Sequence, residues 1–158
     1  MTKEKIKQII YLVLVLIWML TVFSFSNQTG GESQGISQKV TKFIIEIFTN
    51  NQNIEEFEKL ELIENIDFYI RKLAHFSIYA LGGILIYNYI NTLKLQHKKV
   101  IILSILIGVI YAITDECHQY FTSGRSARIF DVLIDSLGVV TGVAIINLAK
   151  KIIKPLYN

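Results

Sequence analysis

Four long apolar stretches leave this chain few ways to fold. They run over residues 9–25, 70–93, 100–118 and 129–149. A helix of about 20 residues crosses the roughly 30 Å hydrocarbon core of a bilayer, so each stretch is close to the length of one crossing. Backbone groups in hydrocarbon must be paired within their own segment, which leaves helix as the expected state. The sequence therefore predicts an all-α integral membrane protein, a bundle of four transmembrane helices.

The composition is that of a small membrane protein. The 158 residues are 52% hydrophobic with a mean hydropathy of +0.44, too apolar for an ordinary soluble domain. We therefore expect residues 1–158 to form a single membrane domain. The lone Cys117 excludes an internal disulfide and a zinc cluster built on cysteines. The first apolar stretch is longer than a usual signal-peptide core and no clean cleavage site follows it, so we predict a retained anchor.

The charged residues distinguish the two membrane faces. One face has nine bases and one acid (Glu4), or 9 − 1 = +8, and its bases are Lys3, Lys5, Lys7, Lys94, Lys98, Lys99, Lys150, Lys151 and Lys154. The other face has seven bases and 12 acids, or 7 − 12 = −5. Because Lys and Arg accumulate on the cytoplasmic side, we expect both termini in the cytoplasm. The loops 27–68 and 115–128 would then face outward.

The longer of these loops, 27–68, carries a helical pattern of its own. Its apolar residues recur at the helical period: Val40, Phe43, Ile44 and Ile47. We expect an extracytoplasmic amphipathic helix that lies on the membrane or caps the bundle. A lid that binds a partner is the alternative.

Three groups of polar residues fall at the outer ends of the predicted helices. The first shares one face of the second span through a spacing of four: Arg71, His75 and Tyr79, with Lys72 beside them. The second lies at and just beyond the outer end of the third span: Asp115, Glu116, His118, Gln119 and Arg125. The third is a stripe that begins charged and becomes small: Arg128, Asp131, Asp135, Gly138 and Gly142. Its small residues predict a close contact with a neighbouring helix.

Asp135 is the most constrained of these residues. It follows Asp131 by about one helical turn, so we expect it inside the membrane. An unpaired charge there costs a few kcal/mol or more. We therefore expect Asp135 to face the bundle interior and to meet a base, for which there are five candidates: Arg71, Lys72, His75, Arg125 and Arg128.

Two kinds of binding chemistry fit the cluster. Its bases could clamp a phosphate through charge-assisted hydrogen bonds: Arg71, Lys72, Arg125 and Arg128. Further ligand-binding candidates are Tyr79, Glu116, Gln119 and Asp135. Alternatively a divalent metal is a possible cofactor, held by the two histidines and some of the acids Asp115, Glu116, Asp131 and Asp135. The spacing matches no known metal signature, so the metal ligands stay open.

The same cluster could also support catalysis or only stability. His75 or His118 could act as a base or nucleophile, oriented by Asp115 or Asp131. A purely structural ion network is the third interpretation. A site near the outer leaflet would meet a membrane lipid or a lipid-linked cell-wall precursor, and no nucleic-acid partner is expected. The oligomeric state stays open.

Three segments together resemble the VanZ-like family of bacterial membrane proteins: FSFSNQ (Phe23–Gln28), RKLAHFSIYALGG (Arg71–Gly83) and YAITDECHQYFTSGRSARIFDVLIDSLGVVTG (Tyr111–Gly142). The resemblance implies four transmembrane helices in a bacterial cell membrane and a link to glycopeptide resistance, chiefly against teicoplanin. It assigns no role to a matched residue. The long, acidic loop 27–68 departs from the family pattern.

Two functional hypotheses follow. In the first, an envelope protein binds an anionic lipid or lipid-linked precursor at its outer-face cluster and thereby reduces glycopeptide susceptibility. In the second, a membrane enzyme acts on a phosphate-containing lipid by His/Asp acid–base or metal-assisted chemistry.

Overall fold

The computed structural model describes residues 1–49, 56–125 and 128–153. Within those residues the chain is helical and has no strand; the helices are α1 (Lys3–Ser26), α2 (Gly30–Thr49), α3 (Glu56–Asn91), α4 (His97–Tyr120) and α5 (Ile129–Ile153). Four are long and apolar enough to cross a membrane: α1, α4, α5 and the Glu61–Asn91 part of α3. The prediction of an all-α protein with four membrane-spanning helices is confirmed.

Small residues bring α3 and α5 into backbone contact. Gly138 of α5 lies against the carbonyl of Phe76, and Gly142 lies against the carbonyl of Ala80. A Cβ at either glycine would overlap a backbone oxygen of α3. The predicted close approach along the lower part of the α5 stripe is therefore present.

α1 is fixed to α3 by its single tryptophan. Trp18 Nε1 donates a hydrogen bond to the carbonyl of Ile78, at 2.9 Å. Its indole ring meets the ring of Tyr79 edge-on and fills the space left by Gly82. Since the other faces of the spans are apolar and exposed, as at Leu20 and Leu137, the bundle presents hydrocarbon-compatible surface around a small core.

α2 packs on the first turns of α3 through an unexpected face. Its buried residues are Thr41 and Ile45, and Thr41 Oγ1 donates to Asp67 Oδ1 at 3.2 Å. The predicted apolar stripe turns the other way, because Val40, Phe43 and Ile47 are exposed. The helix in loop 27–68 is present, but a polar contact holds it to the bundle.

The start of α2 lies directly on the turn between α4 and α5. Gly30 donates its backbone N–H to the carbonyl of Ser123, at 3.0 Å. Gly124 has a φ of +75°, in the left-handed region that glycine adopts without strain. Thr29 and Glu32 cap α2 reciprocally, because each backbone N–H donates to the side chain of the other. This docking makes α2 a roof over the end of the bundle.

Candidate functional site

Two adjoining cavities lie at the end of the bundle that α2 covers. The apolar cavity, about 290 Å³, lies between α1, α2, α3 and α4, and its walls include Val22, Phe25, Ile36, Val40, Ile70 and Ile78. The basic cavity, about 270 Å³, has walls that include Arg71, Lys72, His75, Arg125, Arg128 and Asp131. The two share five wall residues: Ser33, Arg71, His75, Gln119 and Arg125.

The basic cavity carries a large excess of positive charge. Four bases and one acid line it, so its formal charge is 4 − 1 = +3 with His75 neutral. Lys72 pairs with that acid, Asp131, across the α3–α5 contact. The other three bases are Arg71 on α3 and Arg125 and Arg128 in the segment between α4 and α5. The fold brings α3 and this segment together under α2.

Each arginine of the basic cavity is positioned by a neighbour. Arg71 Nε lies 3.5 Å from Asp67 Oδ2, one helical turn earlier on α3. An Nη atom of Arg125 donates to the carbonyl of Phe25 at the end of α1, at 3.0 Å. The backbone N–H of Arg128 donates to Glu116 Oε1, at 2.6 Å. A guanidinium has five N–H donors, so the Arg71 and Arg125 contacts orient those two side chains and leave donors for a ligand, whereas the Arg128 contact holds its backbone.

Arg125 lies outside the spanning helices and is partly buried. Burial lowers the pKa of its guanidinium, and the negative charges of Asp115 and Glu116 oppose that change. Arginine stays protonated in proteins at neutral pH, so Arg125 contributes a positive charge to both cavities.

His75 meets Asp135 at the junction of the two cavities. His75 Nδ1 lies 3.3 Å from Asp135 Oδ1, an ion-pair distance. The Asp135 side chain is fully buried, whereas His75 is partly exposed and lines both cavities. Of the bases expected near Asp135, the structure thus selects His75. The contact is an ion-pair approach without hydrogen-bond geometry, because His75 Nδ1 and both Asp135 carboxylate oxygens have no hydrogen-bond partner among the described residues.

Asp115 binds two neighbours on the wall of the apolar cavity. Its Oδ2 accepts from the Tyr79 hydroxyl and from Gln119 Nε2, each at 3.0 Å. Its Oδ1 and the buried Ser26 Oγ have no hydrogen-bond partner among residues 1–49, 56–125 and 128–153. Both residues line the apolar cavity, so this wall keeps polar atoms that a ligand could satisfy.

The structure brings most of the predicted site residues together. Those that line one or both cavities are Arg71, Lys72, His75, Tyr79, Asp115, Gln119, Arg125, Arg128 and Asp131. Asp135 and Glu116 are one contact away, through His75 and the Arg128 backbone. His118 lies apart, with Nε2 2.7 Å from Asn27 Oδ1 and its ring stacked on Phe23. The predicted pairing of His118 with Asp115 or Asp131 is not formed.

The metal alternative has little geometric support. In the part of the chain that the structure describes, no three His, Cys, Asp or Glu side chains converge closely enough to hold an ion. The acids instead contact separate partners: Tyr79 for Asp115, Lys72 for Asp131 and His75 for Asp135.

Sequence reasoning missed two features of this site. The first is Asp67, which positions Arg71 and accepts a hydrogen bond from the Thr41 hydroxyl. Its i, i+4 spacing from Arg71 was a signal that could have identified it. The apolar cavity had no comparable signal, because its walls come from α1, α2, α3 and α4, and its apolar residues look like ordinary lipid-facing positions.

Comparison with known proteins identifies a family for the chain through a family model. No curated protein and no solved structure matches it. A family model described as VanZ/LLP1 matches residues 11–150, which include all four membrane-spanning segments in whole or in large part and every residue of the two cavities. The resemblance seen in the three sequence segments is therefore confirmed, and this multi-pass membrane protein belongs to the VanZ/LLP1 family.

Proposed function

We propose that the protein binds an anionic, phosphate-bearing membrane lipid or lipid-linked cell-wall precursor. The observation that carries the proposal is the basic cavity, where four bases face a single acid. Guanidinium groups match phosphate oxygens in paired, charge-assisted hydrogen bonds, and the low dielectric near the membrane strengthens them. A ligand of negative charge would offset the repulsion between Arg71 and Arg125.

The consequence we propose is lower susceptibility to glycopeptides of the teicoplanin type. Membership of the VanZ/LLP1 family is consistent with an envelope protein linked to glycopeptide resistance. The charge sums of +8 and −5 favour an orientation in which the basic cavity opens at the outer leaflet of a bacterial cell membrane. A protein there could hold a precursor or lipid that the antibiotic would otherwise use.

Expression in a susceptible bacterium tests the proposal. The unaltered chain should raise the minimum inhibitory concentration of teicoplanin, and Arg125→Ala should remove most of that increase while accumulating normally. Lys42→Ala is the matched control, because this exposed base on α2 lines neither cavity. Equal protection by the unaltered chain and Arg125→Ala would sink the proposal, as would equal loss in Lys42→Ala.

A second candidate, acid–base catalysis on such a lipid, is favoured by the His75–Asp135 contact. With Nδ1 facing Asp135, Nε2 is the nitrogen that could exchange a proton with a bound phosphate ester. Purified protein should then turn over a phospholipid or an undecaprenyl phosphate intermediate, and His75→Gln should lower kcat by about 100-fold or more. An unaltered protein without turnover, with or without added divalent metal, would leave binding as the function.

A further inference from the structure

The wall of the apolar cavity includes exposed apolar residues of α1 and α2, beside the partly exposed polar side chains of Gln28, Ser33 and Ser37. Phe25 of α1 is 50% exposed, and Ile36 and Val40 of α2 are 51% and 47% exposed, yet all three line the cavity. The neighbouring α1 surface is equally apolar, as Leu20 and Phe23 are exposed. An edge that exposes these apolar side chains to the bilayer is compatible with entry of a hydrocarbon chain between α1 and α2.

The two cavities also follow one another along the bundle in the same order as the headgroup and the hydrocarbon chain of a membrane lipid. The basic cavity lies at the ends of the helices, beside Gly30 and Arg128. The apolar cavity reaches Val22, about one turn inside Ser26, and Ile78, about two turns inside Arg71. In the direction that leads into the membrane the walls become mostly apolar, with Asp115 and its partner Tyr79 as the polar exception.

We infer that the ligand is a lipid held in two parts: its phosphate in the basic cavity and one hydrocarbon chain in the apolar cavity, entered sideways between α1 and α2. The shared residues Arg71, His75 and Arg125 lie where headgroup and chain would join. The inference rests on the proposed function and specifies how the lipid is recognised.

The volume limits the occupant to a single chain. An apolar cavity of roughly 150 Å³ holds one benzene ring, so the 290 Å³ here has room for about a dozen carbon atoms. That is a segment of one acyl or prenyl chain. The rest of that chain, and any second chain, would stay in the bilayer outside the rim at Ile36 and Val40.

Two probes with related headgroups test the inference on the full chain in phosphatidylcholine nanodiscs, with empty nanodiscs subtracted. Glycerol 3-phosphate supplies the phosphate alone, and 1-palmitoyl-lysophosphatidic acid adds one chain. Val40→Trp fills the rim and should weaken binding of the lysolipid at least tenfold while changing that of glycerol 3-phosphate by less than twofold. Ile47→Trp, on the same exposed stripe but outside the cavity, should change neither.

The outcomes separate this inference from the proposed function. In one outcome both probes bind in a way that depends on Arg125, and Val40→Trp causes no selective loss of lysolipid binding. That outcome overturns the apolar cavity as the site of the hydrocarbon chain, and it leaves the proposed phosphate binding standing. Absence of Arg125-dependent binding for both probes overturns both. Should Val40→Trp fail to accumulate, a lysophosphatidic acid with a photoreactive chain replaces it: crosslinks to α1 and α2 around Val22 and Ile36 support the inference, and crosslinks confined to α4 and α5 overturn it.

Discussion

At the scale of single residues, the environment decides what an ion pair contributes. Lys72 and Asp131 join α3 to α5 with side chains only 19% and 17% exposed. Lys94 and Glu4 form a pair of the same chemistry at the opposite end of the bundle, with side chains 74% and 70% exposed. Exposed pairs contribute about 0–1 kcal/mol because water and salt screen them. A pair shielded from water loses that screening, and removal of one partner leaves a poorly solvated charge.

A double-mutant cycle on the two pairs measures this difference. We expect Lys72→Ala to destabilise the protein by about 2–4 kcal/mol, because Asp131 then loses its counter-charge. Asp131→Asn in the same chain should recover part of the loss, with a coupling of about 1–3 kcal/mol. Thermal denaturation of purified protein in detergent gives the values. Lys94→Ala with Glu4→Gln is the control, and coupling there as large as in the first pair would contradict the expectation.

Helical spacing predicted which residues share a face but not which residues meet. Arg71, His75 and Tyr79 lie on one face of α3 and all line the apolar cavity, as a spacing of four requires. Asp115 and His118, three apart, point about 60° away from each other around α4. That angle was enough for Asp115 to reach Tyr79 and for His118 to reach Asn27. Partner choice depends on how neighbouring helices are rotated, which spacing within one helix does not contain.

At the scale of elements, backbone contact between α3 and α5 sets the height at which their polar residues meet. Gly142 and Gly138 let α5 approach the carbonyls of Ala80 and Phe76. That approach brings Asp135 of α5 to His75 of α3, on the side of the contact nearer the end of the bundle that α2 covers. The sequence contained the small-residue stripe, and the stripe predicted the contact, but its register against α3 depends on side chains of both helices.

Gly142→Ala should therefore destabilise the bundle. The added methyl group would overlap the Ala80 carbonyl, and the helices must separate to admit it. We expect a loss of about 1–3 kcal/mol in thermal denaturation, the usual cost of overpacking. Gly35→Ala is the control in another helix, since a Cβ there meets no neighbouring atom and Ala favours helix by about 1 kcal/mol over Gly. Equal effects of the two substitutions would show that the close contact is not required.

The docking of α2 gives a second test at this scale. A Cβ on Gly30 would overlap the Gly124 carbonyl, whereas one on its neighbour Gly31 meets nothing. We expect Gly30→Ala to lift the start of α2 from the α4–α5 turn and to weaken lysophosphatidic acid binding about tenfold. Gly31→Ala should bind like the unaltered chain. If Gly30→Ala also binds normally, the roof does not contribute to ligand binding.

The face of α2 that packs was not predictable from hydropathy alone. Val40, Phe43 and Ile47 form the apolar stripe, yet Thr41 and Ile45 are the described residues of α2 that are buried. The reason is Asp67, which accepts a hydrogen bond from Thr41 and is itself buried. In a membrane environment an apolar stripe can face lipid, so the bundle can use the polar side of an amphipathic helix.

At the scale of the whole molecule, the two ends of the bundle differ in charge and in structure. Counted from the whole sequence, the formal charges sum to +8 on the side predicted to hold the chain termini. They sum to −5 on the side that holds α2 and the two cavities. Of the seven bases counted on that side, four line the basic cavity, whereas Asp131 is the one acid of the 12 in its described wall and eight of the others belong to loop 27–68 in the sequence. An anionic ligand is therefore attracted locally at a face that is negative overall, which favours a ligand delivered through the membrane over one that diffuses in from water.

The proposed orientation can be measured with single cysteines in a Cys117→Ser background. Gln34, exposed on α2, and Lys98, exposed in the first turn of α4, lie at opposite ends of the bundle. Because Lys and Arg stay on the cytoplasmic side, a membrane-impermeant maleimide should label Gln34→Cys in intact spheroplasts and Lys98→Cys only after permeabilisation. The reverse pattern would put the basic cavity at the inner leaflet, where external glycopeptides do not reach. That result would rule out protection at the outer leaflet. It would not contradict the proposed binding of phosphate.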